Sequence, residues 1–288
     1  MMLRNRILHR RPPEPGRKQR RFRERLQAYR AARRGRPRRQ IPRAAVPSFF
    51  TLMNLFSGFL ALVQIHDGQF AYAAWLIVLA GFFDMLDGMM ARLTHSQSLF
   101  GVELDSLCDV VSFGVAPAYL VYVFGLSELG VPGLIVASLP ALCGAVRLAR
   151  FNVSFDGEKK DYFTGLPIPM QAAATVALIL HLQDASWFGE PPFSIRNVLM
   201  PAVIVLSALM ISNIPFDAAP RPSPGYIRAH PYKSIGYLGG VLLVLFLQAT
   251  GLLLGLIAYL LLGIGQAGYR LVRAILEPPA PTDAAEPP

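Results

Sequence analysis

The sequence predicts an all-α integral membrane protein, a polytopic bundle of about eight transmembrane helices with a six-helix core. Three observations predict it. Apolar residues make up 53% of the 288-residue chain and charged residues only 16%, with mean hydropathy +0.40. Apolar runs long enough to cross a bilayer recur from residue 46 to residue 276. The cations outside the N-terminal arm fall almost entirely at one set of span ends. This apolar content excludes disorder, collagen and coiled coil for the bulk of the chain. Two cysteines exclude a disulfide scaffold.

The chain opens with a basic arm, residues 1–44. Residues 1–43 hold 17 Lys/Arg against Glu14 and Glu24, whereas the rest hold 11 cations and 16 acids. The net charge of +10 is therefore a strongly basic arm on a slightly acidic body. The arm is too long and too basic for a signal peptide, and it lacks a small-residue cleavage site after a short apolar stretch. Phe22, Leu26 and Tyr29 recur at helical spacing among arginines. Residues 18–34 thus read either as a solvated tail or as an amphipathic helix lying on anionic cytoplasmic lipid. Aromatic residues are too scarce there for nucleic-acid binding, so no nucleic-acid partner is expected.

Eight spans follow, over roughly 46–65, 70–93, 102–124, 131–150, 165–183, 197–215, 234–249 and 251–271. Polar or turn-rich breaks separate them. The last break, near Thr250 and Gly251, is the weakest, and 241–264 reads alternatively as one long span. The expected domains are the arm (1–44), a core (45–216), a cytoplasmic loop with two further helices (217–276), and a Pro/Ala-rich disordered tail (277–288). With the arm in the cytoplasm, Arg196 is the one cation assigned to the far side. That asymmetry favours eight spans with both termini cytoplasmic, in the inner membrane. Gly236, Gly239, Gly240, Gly251 and Gly255 have the small-residue spacing of close helix packing, which suits internal packing or a homodimer equally well.

Ionisable residues inside the apolar spans are few and clustered. Asp84 and Asp87 lie on the second span at i, i+3; Asp105 and Asp109 lie on the third at i, i+4. Each pair therefore shares a helix face. A short turn at residues 94–98 makes the two helices antiparallel neighbours, so the pairs meet at similar depth near the cytoplasmic side. One intramembrane carboxylate costs roughly 2.5–3.5 kcal/mol, and Arg92 is the one cation in this stretch. Bound divalent cations offset such a cluster, and all-oxygen ligands suit Mg²⁺, Mn²⁺ or Ca²⁺. Gly88, Ala91 and Gly101 keep the adjacent surface small and leave room for a ligand.

The stretch from Asp84 to Asp109 reads D-x2-D-G-x2-A-R-x8-G-x3-D-x3-D. It resembles the signature of the CDP-alcohol phosphatidyltransferases, with every fixed position matched. The resemblance implies a membrane enzyme that moves a phosphatidyl group from a CDP-linked lipid to an alcohol and releases CMP. It implies two divalent cations, Mg²⁺ or Mn²⁺ with Ca²⁺ as a possible occupant, held by Asp84, Asp87, Asp105 and Asp109. It makes Asp109 the proton acceptor for the attacking hydroxyl. It also implies CDP contacts from Gly88, Ala91, Arg92, Ser98 and Gly101, and lipid-nucleotide contacts from the segment containing Ser48 and Thr51.

Further segments look like the phosphatidylserine synthase branch: Leu52 to Phe59, Val111 to Pro117, Arg147 to Asn152, and Phe163 to Pro169. The expected partners are accordingly CDP-diacylglycerol, L-serine and the lipid bilayer. Arg147 and Arg150, one turn apart at the cytoplasmic end of the fourth span, either fork onto the serine carboxylate or mark the membrane boundary by snorkelling. Glu103 is a candidate for the serine ammonium, and His95 for a minor substrate contact. Cys108 and Cys143 read as small packed hydrophobes. The alternatives are the same chemistry on glycerol 3-phosphate, inositol phosphate or choline, or an archaeal-type lipid donor. From another class, a divalent-cation transporter would need acids reaching toward the far side, and the spans after Asp109 contain none at mid-span.

Overall fold

The computed structural model describes residues 45–94, 98–154, 162–183, 195–217, 228 and 231–276. The readings of the basic arm, His95, the 155–161 and 184–194 connections and the C-terminal tail lie outside these residues.

Helix α1 (Ala45–His66) and helix α2 (Phe70–Leu93) form an antiparallel hairpin. Their turn closes through Gly68 N–H to Ile65 O (3.1 Å) and Gln69 N–H to Gln64 O (2.9 Å). Gly68 has φ 73°, a conformation glycine adopts without Cβ penalty. The α2 face turned into the bundle is built largely of small residues, Ala73, Ala74 and Ala80, with Ile77 among them. Small side chains let backbones approach closely, which matters in lipid, where no hydrophobic force drives helices together.

Helix α3 (Leu99–Leu129) is a continuous helical run, longer than the expected 102–124. It is regular only to Asp109. A π segment, Val110–Val115, follows at once, then a regular stretch and a second π segment, Tyr122–Leu126. Single-turn π segments insert an extra residue per turn and turn later side chains to a new face. Here Ser112, Phe113 and Gly114 are buried, and a Cβ on Gly114 would sit 3.2 Å from Ala141 Cα. Helix α4 (Val131–Ser154) thereby packs close to α3.

A two-stranded antiparallel ribbon links the later helices. Strand β1 (Tyr162–Thr164) pairs with β2 (Pro215–Asp217), Phe163 opposite Phe216. Between them run the shorter apolar helices α5 (Ile168–Gln183) and α6 (Ile195–Ile211). Gly165 N–H bonds Ile214 O (2.8 Å) and Leu166 N–H bonds Leu209 O (3.0 Å), fixing the start of α5 on the end of α6. Gly165 has φ 77°, and a Cβ there would overlap the Met210 carbonyl. Gly165→Ala is expected to lower stability by at least about 1 kcal/mol, read as a lower thermal midpoint of the detergent-purified protein.

The last apolar stretch, helix α7 (Pro231–Leu276), is two helices meeting at Gln248, whose φ is 47°. A Cβ on Gly251 would overlap the Leu243 carbonyl eight residues earlier, so the chain bends back sharply there. The break anticipated at Thr250-Gly251 thus lies at Gln248. Gly251 serves this bend, whereas Gly236, Gly239, Gly240 and Gly255 would meet no atom within 4 Å.

Five helical stretches are long and apolar enough to cross a membrane: Pro47–His66, Phe70–Leu93, Leu99–Leu129, Val131–Val153 and Leu242–Tyr269. The protein is an integral membrane protein. At the bundle end opposite the acidic cluster, Arg196 pairs with Glu128 at 2.6 Å. The lone cation expected on the far side is thus matched by an acid.

Candidate active site

The antiparallel order of α2 and α3 brings the four aspartates to one end of the bundle. Carboxylate oxygens of Asp84, Asp105 and Asp109 lie within 4.8 Å of one another. Asp87, one turn from Asp84, stands at the edge of this trio, with the Thr51 hydroxyl and the Gly88 amide beside its carboxylate. Asp87 and Asp109 are 6% and 7% exposed, and Asp84 and Asp105 are half-buried. Such crowding of like charge away from water is unfavourable without counter-charge. One Asp87 oxygen and one Asp105 oxygen are buried with no hydrogen-bond partner. Unpaired buried carboxylate oxygens converging from two helices are what a hard cation requires of its ligands, so these residues fit a divalent metal site.

The residues expected around the nucleotide line the same end. Gly88 opens onto free space, for a Cβ there would meet nothing within 4 Å. Ala91 is half-buried and Arg92 is exposed at the last turn of α2. Ser98 caps α3, its Oγ accepting from the Gly101 amide at 3.0 Å. This fixes the entry of α3 one turn before Asp105. Thr51, 5% exposed, donates to Pro47 O at 3.1 Å in the first turns of α1, and Ser48 is half-buried nearby.

Arg147 and Arg150 part company. Arg147 is 7% exposed and interacts electrostatically with Asp109. Arg150 is exposed and donates to Ile211 O (3.3 Å) and Ser212 O (3.4 Å) at the end of α6. Carbonyls at a helix C-terminus carry partial negative charge and attract a guanidinium. Glu103 is exposed on α3. Cys108 and Cys143 are free and buried, as expected of packed small side chains.

One residue enters the site that the sequence did not assign to it, and a second reaches Arg147. Asn54 of α1, fully buried, donates from Nδ2 to Asp109 Oδ1 at 3.1 Å. Its signal was a polar side chain inside an apolar span, one turn beyond Thr51 and on the same face. Tyr259 of α7 interacts electrostatically with Arg147. Its ring packs on Phe216 of β2, centroids 5.7 Å apart, and Phe216 fits only because Gly263 has no side chain. Nothing local marks Tyr259, since its role depends on how α7 folds back onto the bundle.

Together these features define an integral membrane protein with an acid-rich centre, fitted to a cation, at one end of its bundle. A family model described as CDP-alcohol phosphatidyltransferase matches residues 44–210. The chain is 39% identical over 168 residues to the CDP-diacylglycerol–serine O-phosphatidyltransferase of Helicobacter pylori, covering 58% of this chain and 70% of that one. It is 38% identical over 174 residues to archaetidylserine synthase of Methanothermobacter thermautotrophicus (60% and 69% covered). It is also 38% identical over 163 residues to the CDP-diacylglycerol–serine O-phosphatidyltransferase of Saccharomyces cerevisiae (51% and 58% covered). The chain belongs to the CDP-alcohol phosphatidyltransferase family. It is a membrane phosphotransferase of phospholipid biosynthesis.

Proposed function

We propose that the protein transfers the phosphatidyl group of CDP-diacylglycerol to the hydroxyl of L-serine, giving phosphatidylserine and CMP at the cytoplasmic face of the inner membrane. The observation that carries the reading is the convergence of three aspartates from α2 and α3 with Arg147 beside Asp109. The names of the relatives above support serine as the acceptor. The cation asymmetry supports the orientation. Helices α1–α6 form the catalytic bundle in this reading, and the two halves of α7 complete eight spans.

Asp84, Asp87, Asp105 and Asp109 would hold two divalent cations, Mg²⁺ or Mn²⁺. Bound there, the cations would supply the positive charge that neutralises the diphosphate and eases departure of CMP. The chain's own residues do the rest. Gly88, Ala91 and Gly101 leave room for the CDP group, while Arg92, Ser98, Ser48 and Thr51 orient it. Asp109 takes the proton of the serine hydroxyl as the serine oxygen bonds to phosphorus and the bond from phosphorus to the CMP oxygen breaks. Arg147, held at the end of α4 facing Asp109, binds the serine carboxylate. The acyl chains stay in the bilayer while serine and cytidine arrive from water.

The decisive experiment offers purified protein CDP-diacylglycerol with serine, glycerol 3-phosphate, inositol phosphate or choline separately, and identifies the lipid formed. Phosphatidylserine alone is expected; another product in its place refutes the serine reading, and CMP-free ion flux refutes the enzyme. In the same assay, Arg147→Ala is expected to raise the KM for serine by about ten- to a hundredfold, the loss of a charge-assisted hydrogen-bond pair. Arg150→Ala is expected to change it far less, because the α6 carbonyls already engage that side chain.

A further inference from the structure

Two segments that resemble the serine branch, Leu52 to Phe59 with Asn54 and Gly58, and Val111 to Pro117 with Ser112, have no part in the chemistry described above. They meet in one place. Asn54 Nδ2 donates to Asp109 Oδ1 at 3.1 Å, and Ser112 Oγ donates to the backbone carbonyl of Asn54 at 3.0 Å. All three polar groups are buried: Asn54 and Ser112 are 0% exposed and Asp109 is 7% exposed. Gly58, one turn beyond Asn54, lies so close to Ser112 that a Cβ there would overlap the serine Oγ and press on its Cα. Ser112 lies in the π segment that begins directly after Asp109.

The arrangement is costly for a residue serving the fold alone. Asn54 Oδ1 is buried with no hydrogen-bond partner, and an unpaired buried carbonyl destabilises the folded state. A leucine would fill the same space without that cost. The carboxamide is accounted for by its other end, which holds one oxygen of Asp109. A carboxylate pinned at Oδ1 cannot rotate freely about its Cβ–Cγ bond, so its second oxygen is held at a set angle. Pre-positioning of a reacting group lowers the barrier by removing that search from the reaction itself.

We propose that Asn54 is a positioning residue, clamped by Ser112 and Gly58, that holds the Asp109 carboxylate in the orientation needed to receive the acceptor's proton. The proposal rests on the reading of Asp109 as proton acceptor. Its action is on turnover: the CDP-lipid binds through other groups and needs no help from the Asn54 amide.

The test compares Asn54→Leu, Ser112→Ala, Asp109→Asn and, as control, Ser57→Ala, whose hydroxyl bonds only its own helix at Met53 O. Each purified full-length variant is measured for kcat, for KM of serine, for CDP-diacylglycerol binding with Mg²⁺, and for thermal midpoint. Asn54→Leu is expected to lower kcat at least tenfold, with CDP-lipid affinity within twofold and the midpoint unchanged or raised. Ser112→Ala is expected to lower kcat about threefold with the same pattern, and it carries the test if Asn54→Leu does not fold. Ser57→Ala should keep its kcat. A purely structural role would instead lower the midpoint and affect binding and turnover alike. If Asn54→Leu, or Ser112→Ala in its place, retains kcat within twofold while Asp109→Asn is inactive, the clamp is wrong and the base assignment stands. If Asp109→Asn itself turns over normally, both fall together.

Discussion

Asp109→Asn is expected to reduce turnover by about a hundred- to ten-thousandfold, the range over which general-base assistance acts. Asparagine has nearly the shape of aspartate but cannot take the proton of the attacking hydroxyl. The substitution leaves the Asp84 and Asp105 carboxylates converging from their two helices, with Asp87 one turn from Asp84. CDP-lipid binding is therefore expected to fall only modestly. The measurement pairs CMP release at saturating serine with a direct binding titration of CDP-diacylglycerol. Normal CMP release from the variant would remove Asp109 from its assigned role and leave the rest of the acidic site intact.

Asp84→Asn is expected to act differently and at least as severely. Asp84 belongs to the trio whose oxygens approach within 4.8 Å. On the proposed reading, removing its charge should weaken cation binding, and with it the grip on the diphosphate. Both the metal concentration for half-activation and the KM for CDP-diacylglycerol should rise, by tenfold or more, alongside a loss of turnover. Stripping the wild-type protein with a chelator should abolish activity, and Mg²⁺ or Mn²⁺ should restore it. Activity that survives thorough metal removal would contradict the assignment of the carboxylates as ligands. The contrast between the variants is the informative part: one loses the proton acceptor while keeping most of the grip, and the other loses the grip.

The acidic centre was legible in the sequence because it depends on local periodicity. Spacings of three and four residues put each aspartate pair on one face, and a short turn makes the two helices neighbours whatever the remaining bundle does. The separate behaviour of Arg147 and Arg150 was not legible. Both lie on the same turn of α4, and the direction each takes depends on α6, whose terminal carbonyls draw Arg150 away. The π segment after Asp109 was hidden for a related reason. Valine, serine, phenylalanine and glycine in that order fit a regular helix equally well, and the contact of Ser112 with the Asn54 carbonyl involves a different helix. Tyr259 depended on longer-range geometry still, requiring the bend at Gln248 and the room left by Gly263 for Phe216. In the same way, the lengths of α5 and α6 were overestimated from hydropathy, since part of each apolar run is used in the ribbon and its connections rather than in helix.

Helices α2 and α3 hold every aspartate of the centre within 26 consecutive positions. They therefore carry all the proposed metal ligands and the proposed proton acceptor, while α1 and α4 bring Asn54 and Arg147 to Asp109 from outside. On the reading proposed above, change at Arg147 on α4 would alter which alcohol is admitted while leaving the four aspartates in place. A shared reaction and a diversified choice of acceptor would then rest on different stretches of the same chain.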